Sequence, residues 1–178
     1  MLTVITATLP ERALLLGQLA ESLACQSVHV GWHVGWDTDR RSPVPVLNRL
    51  AASVSTEWLF RCDDDDLFDP HHFEIVGEHL ADDVDIVWTW CRIVGRFAPG
   101  EFQQPFDADR LREQNYIPSA AAIRTGLWSD LGGVRDGGLS EHEDWDFWLR
   151  ALDAGARFRC VPTVTWTYRL DDAWAHRS

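Results

Sequence analysis

The sequence predicts an α/β protein, a sheet covered by helices, and two observations carry that prediction. Through the first half, short runs of β-branched or alternating apolar residues take turns with segments whose apolar residues recur at helical spacing. No internal repeat, linker or low-complexity tract interrupts them, so a single domain over residues 1–178 is expected.

The elements follow in order. Residues 2–7, LTVITA, read as a short buried strand. Thr8 with Glu11 three residues on is a capping-box pattern, and Pro10 suits a first helical turn. Leu15, Leu16, Leu19 and Leu23 then recur at helical spacing up to about Cys25. Val30, Trp32, Val34 and Trp36 alternate with Gly31, His33 and Gly35, the period of a strand that ends at Asp37. TDRRSPVPV is loop-like, residues 47–54 read as helix, and residues 58–62 as a strand running straight into Asp63. Asp69 is the expected N-cap of the next helix, and residues 84–90 the strand after it.

Residues 96–117 carry few regular signals beyond a short helix near 107–114. Residues 124–131 read as a helix stopped by Gly132-Gly133. Ser140 with Glu143 forms a second capping box, opening a helix that ends at Gly155. Residues 157–161 and 164–169 read as two strands separated by Pro162.

Composition narrows the function classes. Hydrophobic residues make up 46% of the chain and charged residues 25%, the balance of a folded globular protein. No apolar run approaches the roughly 20 residues that span a bilayer, so no transmembrane segment is expected. MLTVITATLPER has no basic n-region or small-residue cleavage site, so no secretory signal is expected either. Cys25, Cys62, Cys91 and Cys160 make no CxxC pair, and reduced thiols are the default. A cytoplasmic location is the expectation. The formal charge of -12 opposes binding to a nucleic-acid backbone, which needs arrays of Lys and Arg. It does not oppose a phosphorylated metabolite, provided a divalent cation stands between ligand and protein.

Asp63, Asp64, Asp65 and Asp66 are consecutive, and that concentration is the most informative feature of the chain. Two carboxylates one residue apart at a strand end can converge on a hard cation such as Mg²⁺ or Mn²⁺. Asp63 and Asp65 have that spacing. Four like charges in a row repel one another, and a bound cation would relieve them. The alternative is a solvated acidic turn capping the helix after Pro70. A calcium EF-hand loop fits poorly, because Leu67 falls where the next ligand belongs and no Gly follows it. Ligands of open α/β sheets gather beyond the carboxyl ends of strands, so Asp37 and Asp63 are expected to face one crevice.

In SEHEDWDFWLRALDAG, Trp145, Trp148, Leu149 and Leu152 fall at helical spacing and form the expected buried stripe. At about 100° per residue, Asp144 lies roughly 90° from the centre of that stripe, on its border. Glu143 lies on the opposite side, where capping suits it. Asp144 is therefore the carboxylate placed to rim a pocket. Its first-turn position favours the ionised form, which can accept a proton from a hydroxyl. The alternative is that Glu143, Asp144 and Asp146 only complement the helix dipole.

Three segments in order resemble a family 2 glycosyltransferase of the GT-A fold, in the nucleotide-diphospho-sugar transferase superfamily. They are VITATLPERALLLGQLAESLACQS, LNRLAASVSTEWLFRCDDDDLFDPHHF and NYIPSAAAIRTGLWSDLGGVRDGGLSEHEDWDFWLRALDAGARF. The resemblance implies a Rossmann-like, mostly parallel mixed sheet flanked by helices. Residues 1–95 would form the nucleotide-sugar half and residues 96–178 the acceptor and catalytic-base half. It also implies a nucleotide-diphospho-sugar donor, a carbohydrate or other hydroxyl acceptor, a divalent cation and inversion at the anomeric carbon. Asp63 and Asp65 match the DxD carboxylates and Asp144 the expected general base. Asp37 matches the acidic residue near the nucleotide base, with Thr8 and Arg12 of the first loop also expected at the donor. His176 matches a histidine that some members supply to the metal, a tail histidine without that role being the alternative.

Arg124, Arg135 and Arg169 are candidates for phosphate or acceptor contacts, with ordinary ion pairing as the alternative. The stretch TDRRSPVPV is too short for the extra strand that the family usually has there, and Leu9-Pro10-Glu11-Arg12 replaces an Asn-bearing loop. Two other classes stay open. One is a metal-dependent nucleotidyltransferase, whose Gly-rich basic first loop is missing here. The other is a non-catalytic nucleotide-sugar-binding module of the same fold.

Overall fold

The structure, a computed structural model, describes residues 2–95, 102–137 and 142–170. Strand β1 (Leu2–Thr8) leads through a 3-10 turn (Pro10–Arg12) into helix α1 (Ala13–Ala24). Strand β2 (Gly31–Trp36), helix α2 (Val44–Ala52) and strand β3 (Trp58–Arg61) follow. Next come a two-residue strand, β4 (Leu67–Phe68), helix α3 (His72–Gly77) and the long strand β5 (Ile86–Val94). Helix α4 (Ala108–Glu113), strand β6 (Ala121–Arg124), helix α5 (Thr125–Asp130), helix α6 (Glu143–Asp153) and strand β7 (Phe158–Arg169) complete the order.

The strands make one sheet in the order β2-β1-β3-β6-β5-β7-β4. Strands β2, β1, β3, β5 and β7 run in one direction, while β6 and β4 run against them. The expected mixed, mostly parallel sheet is what forms. Central strands bury both faces, which explains why they read as unbroken apolar runs. Phe60 and Val87 point to the face covered by α1 and α3, packing with Leu19, Leu23, Phe73 and Val76. Leu59, Ile86 and Trp88 point to the other face, against Leu47, Trp128, Phe147 and Trp148. Gly35 lets α2 lie close on β2, since a Cβ there would overlap the Val46 side chain. Among the described residues no helix is long and apolar enough to cross a membrane.

Several local expectations are corrected. Neither Thr8 nor Asp69 caps a helix: the residues at those helix starts are Leu9 and His71, and neither makes a side-chain cap bond. Thr8 is drawn instead to Asp64, and Asp69 pairs with Arg92 at 2.5 Å. Longer-range charged partners win over the local cap in both places. The segment expected as a helix from residue 124 starts one residue later, because Ala121–Arg124 is a strand between β3 and β5. The last two expected strands are one, since β7 passes Pro162 by a register shift against β5 after Thr89. The stripe of α6 is also turned: Phe147, Trp148 and Ala151 are the fully buried positions, while Trp145, Leu149 and Leu152 are partly covered. Ser140 of the second capping box lies outside the described residues.

Candidate functional site at the carboxyl ends of the strands

Strand direction decides what meets here. Thr8 closes β1, Asp37 follows β2, the acidic run follows β3, and Arg169 closes β7, all at one end of the sheet. Because β6 runs antiparallel to β3, the residues that precede it, Asn115 and Ser119, arrive at that same end. Helix α6 brings its first turn there too. The indole N–H of Trp145 donates to the Leu111 carbonyl at 2.7 Å, and that of Trp148 to the Ile117 carbonyl at 3.2 Å. These bonds seat α6 against α4 and the chain that leads into β6.

The four aspartates do four different things. Asp64 is turned inward, accepting from the Thr8 hydroxyl and from Arg12 Nε at 2.8 and 2.9 Å. Asp65 pairs through Oδ2 with Arg12 Nη2 at 2.6 Å, and its backbone carbonyl accepts from Arg169 Nε at 2.5 Å. Asp66 is fully buried and folds back to accept from the Asp63 N–H at 3.0 Å, stapling the turn. Burial first, then Asp63 and Asp65, push its pKa well above the carboxylate range. Asp63 is the most open of the four, with 44% of its side chain exposed. It still sits low enough in the crevice that its burial, ahead of the nearby carboxylates and against the pull of Arg61, pushes its pKa up to about 6.

Arg61, the last residue of β3, joins the two sides of the site. Its Nη2 lies 2.6 Å from Glu143 Oε1 and 3.8 Å from Asp63 Oδ1. Burial opposes its charge, yet Asp63, Glu143 and Asp144 outweigh that and raise its pKa from the ordinary value. Glu143 turns to this buried cation, and the residue at the N-cap of α6, His142, makes no side-chain cap bond. The next carboxylate, Asp144, accepts from Asn115 Nδ2 at 3.2 Å and from the Trp145 N–H at 2.8 Å. Ser119 donates to Asp63 at 3.4 Å.

Of the residues expected at the site, Thr8, Arg12, Asp63, Asp65 and Asp144 are gathered at this end, and Asp37 is tied to it by its N–H to the Thr8 carbonyl at 2.8 Å. Arg169 is here as well, with Nη1 2.5 Å from Gln18 Oε1 and Nη2 without a partner among the described residues. Arg124 is not. It lies at the opposite end of the sheet, because β6 is antiparallel, and pairs with Glu57 and Asp85. Arg135 is exposed, and among the described residues no side-chain bond ties it to this end. His176 lies outside the described residues. Arg61, Asn115 and Ser119 were missed by the sequence reading. Only Arg61, a lone cation in an apolar strand, left a signal that could have found it.

The acidic run, whose repulsion a bound cation was expected to relieve, also has cations of the chain beside it. Arg12 and Arg61 already supply positive charge to it from within the chain. Among the described residues no three acidic, histidine or cysteine side chains converge as a ready metal cage. The donor set is nevertheless oxygen-only. Asp63 is half-open and Asp65 adjacent, which fits a hard cation held by two carboxylates and completed by ligand phosphates.

No protein-family model matches the chain. It is 28% identical over 145 residues to YwdF, an uncharacterized glycosyltransferase of Bacillus subtilis (strain 168), covering 76% of this chain and 53% of that protein. The chain thus spans about half the length of the curated relative it matches. Its fold is similar to that of S. aureus TarS 1-349 in complex with UDP, with a TM-score of 0.77 and 16% identity over 96% of this chain and 60% of that one. It is also similar to the mannosyltransferase PcManGT from Pyrobaculum calidifontis in complex with GDP-Man and Mn²⁺, with a TM-score of 0.69 and 18% identity over 97% and 59%. These likenesses bear out the resemblance to glycosyltransferases and the Rossmann-like α/β fold read from the sequence.

Proposed function

We propose that this chain is a metal-dependent inverting glycosyltransferase, moving a sugar from a nucleotide-diphospho-sugar donor to an acceptor hydroxyl. The observation that carries the reading is Arg61, which ties Asp63 beside the expected donor to Glu143 and so brings Asp144 to the same crevice. A solvated acidic turn needs no such bridge. The likeness to chains solved with UDP and with GDP-Man and Mn²⁺ supports the donor class.

In this reading residues 2–95, joined by Arg169 from the end of β7, supply the donor side. Asp37 and Thr8 line the nucleotide end of the crevice, and Arg12 and Arg169 face the diphosphate. Asp63 and Asp65 would hold Mn²⁺ or Mg²⁺, which supplies Lewis-acid neutralisation of charge on the leaving diphosphate. The rest of residues 102–170 supplies the acceptor side. Asp144, held by Asn115, takes the proton of the acceptor hydroxyl at a carboxylate oxygen as that hydroxyl attacks the anomeric carbon in line. The Trp145 and Trp148 indoles of α6, each hydrogen-bonded to the chain before β6, keep that carboxylate fixed, so little reorganisation is needed during reaction.

The test pairs two substitutions. Asp65→Ala should abolish Mn²⁺-dependent binding of UDP- and GDP-sugars in a calorimetric titration. Asp144→Asn should bind donor as the wild type does and lose transfer by about 100-fold or more. Wild-type transfer by Asp144→Asn would remove the base assignment.

A further inference from the structure

The geometry points to Arg12 as an internal counter-ion that covers Asp65 whenever no diphosphate is bound and yields it only when a diphosphate arrives. This rests on the metal-dependent donor reading above and concerns how that site is loaded.

The Arg12 side chain is only 14% exposed and lies across two carboxylates that are themselves 5% and 10% exposed. Its hold on them is unequal. Asp64 receives Nε at 2.8 and 2.9 Å and Nη2 at 2.6 Å, and the Thr8 hydroxyl fixes the same carboxylate from the β1 side. Asp65 receives Nη2 alone, at 2.6 Å. Asp64 is thus the anchor and Asp65 the partner that can be released without tearing the guanidinium from its seat. The 3-10 turn with Pro10 at its start fixes where Arg12 leaves the backbone, and Arg169 holds the Asp65 carbonyl, so both ends of the contact are built.

A guanidinium cannot shed its proton, so it leaves a carboxylate only for another anion. A divalent cation approaching Asp65 alone therefore meets a fixed positive charge on the ligand oxygen it needs. A diphosphate changes that balance. It offers Nη2 a bidentate-capable oxygen partner and adds oxygen ligands for the cation in the same step. Metal and nucleotide should then bind with positive coupling, each raising the affinity of the other by the same factor. Arg12 is a positioning residue in this scheme, acting through Asp65.

The experiment is a calorimetric titration of Mn²⁺ into the chain, alone and with saturating UDP or GDP, for wild type, Arg12→Gln and Arg12→Lys. Wild type should bind Mn²⁺ about tenfold or more tightly with one of the nucleotides than without, a coupling of ordinary size. Arg12→Gln should bind Mn²⁺ alone about tenfold more tightly than wild type and lose most of that coupling. Should Arg12→Gln fail to fold, Arg12→Lys carries the test, since its ammonium ends one bond short of the Nη2 position that touches both carboxylates and should also tighten Mn²⁺ alone. If the variants bind Mn²⁺ alone no better than wild type while nucleotide coupling persists, the counter-ion role is overturned and the donor reading stands. If no form binds Mn²⁺ even with UDP or GDP, the metal-dependent reading falls, and this inference with it.

Discussion

Arg61 Nη2 and Glu143 Oε1 lie 2.6 Å apart across the interior, joining the end of β3 to the first turn of α6 over 82 residues of sequence. Arg61 is 5% exposed at its side chain and Glu143 21%, so the pair is mostly shielded from water. Removing one partner of such a pair strands the other. Arg61→Met should destabilise the fold by about 3–5 kcal/mol, read as a lower urea midpoint. Glu143→Gln should cost less, because Arg61 still faces Asp63 at 3.8 Å. A wild-type midpoint for Arg61→Met would show that the bridge does not hold the two sides together.

Asn115 donates to Asp144 from the stretch that precedes β6, outside any helix or strand. Asn115→Leu should leave donor binding intact and lower transfer by about 10- to 100-fold, the cost of a catalytic group loosened by a fraction of an ångström. The measurement is steady-state transfer beside donor affinity. A loss confined to donor affinity would place Asn115 on the other side of the chemistry.

His72 is fully buried against Phe60, Phe68 and Phe73, with Nδ1 2.7 Å from the Thr165 hydroxyl. Thr165 in turn donates to Thr89, which makes its oxygen an acceptor for the imidazole N–H. Burial lowers the His72 pKa from 6.5 to about 3. Between those values the unfolded chain binds the proton and the folded chain does not. The contribution of His72 is therefore fully present above pH 6.5 and is lost as pH falls toward about 3. In that window wild type should lose up to about 1.4 kcal/mol per pH unit through this residue. His72→Gln should flatten the slope by that amount in urea unfolding at a series of pH values. Equal slopes would mean that His72 charges in place.

Gly132 and Gly133 both have left-handed backbones, with φ of 70° and 71°, yet they should not respond alike to alanine. A Cβ at Gly132 meets open space, whereas one at Gly133 would overlap the Asn48 amide and the Trp128 indole. That same amide accepts from the Val134 N–H at 3.1 Å and donates to its carbonyl at 2.9 Å, locking the turn after α5 onto α2. Gly132→Ala should cost about 1 kcal/mol from backbone strain alone, and Gly133→Ala clearly more, about 2–4 kcal/mol, in thermal or urea unfolding. Equal costs would remove the steric argument.

Much of this molecule was legible in order along the chain. The alternation of Val30 to Trp36, the leucine spacing of α1 and the run of Trp58 to Cys62 into Asp63 are local patterns, and local patterns fix the type of an element. The segments that escaped were short or ambiguous. Strand β4 has two residues, and β6 is an alanine-rich tetrapeptide continuous with a helix, so neither carries a full period. Both exist because neighbouring strands supply their hydrogen bonds.

The acidic run marks the same division. Its position at the end of a strand, and so at the ligand end of an α/β sheet, followed from the sequence alone. Which carboxylate faces outward did not. Asp64 is drawn in by Thr8 and Arg12, Asp66 closes on its own turn, and Asp63 is left open beside Arg61. The pull on Asp64, and the pairing that fixes Arg61 beside Asp63, depend on partners more than 50 residues away in sequence, brought near by strand order. A row of identical side chains holds no local signal to tell one from the next, so only the tertiary field of surrounding charges could assign them different tasks.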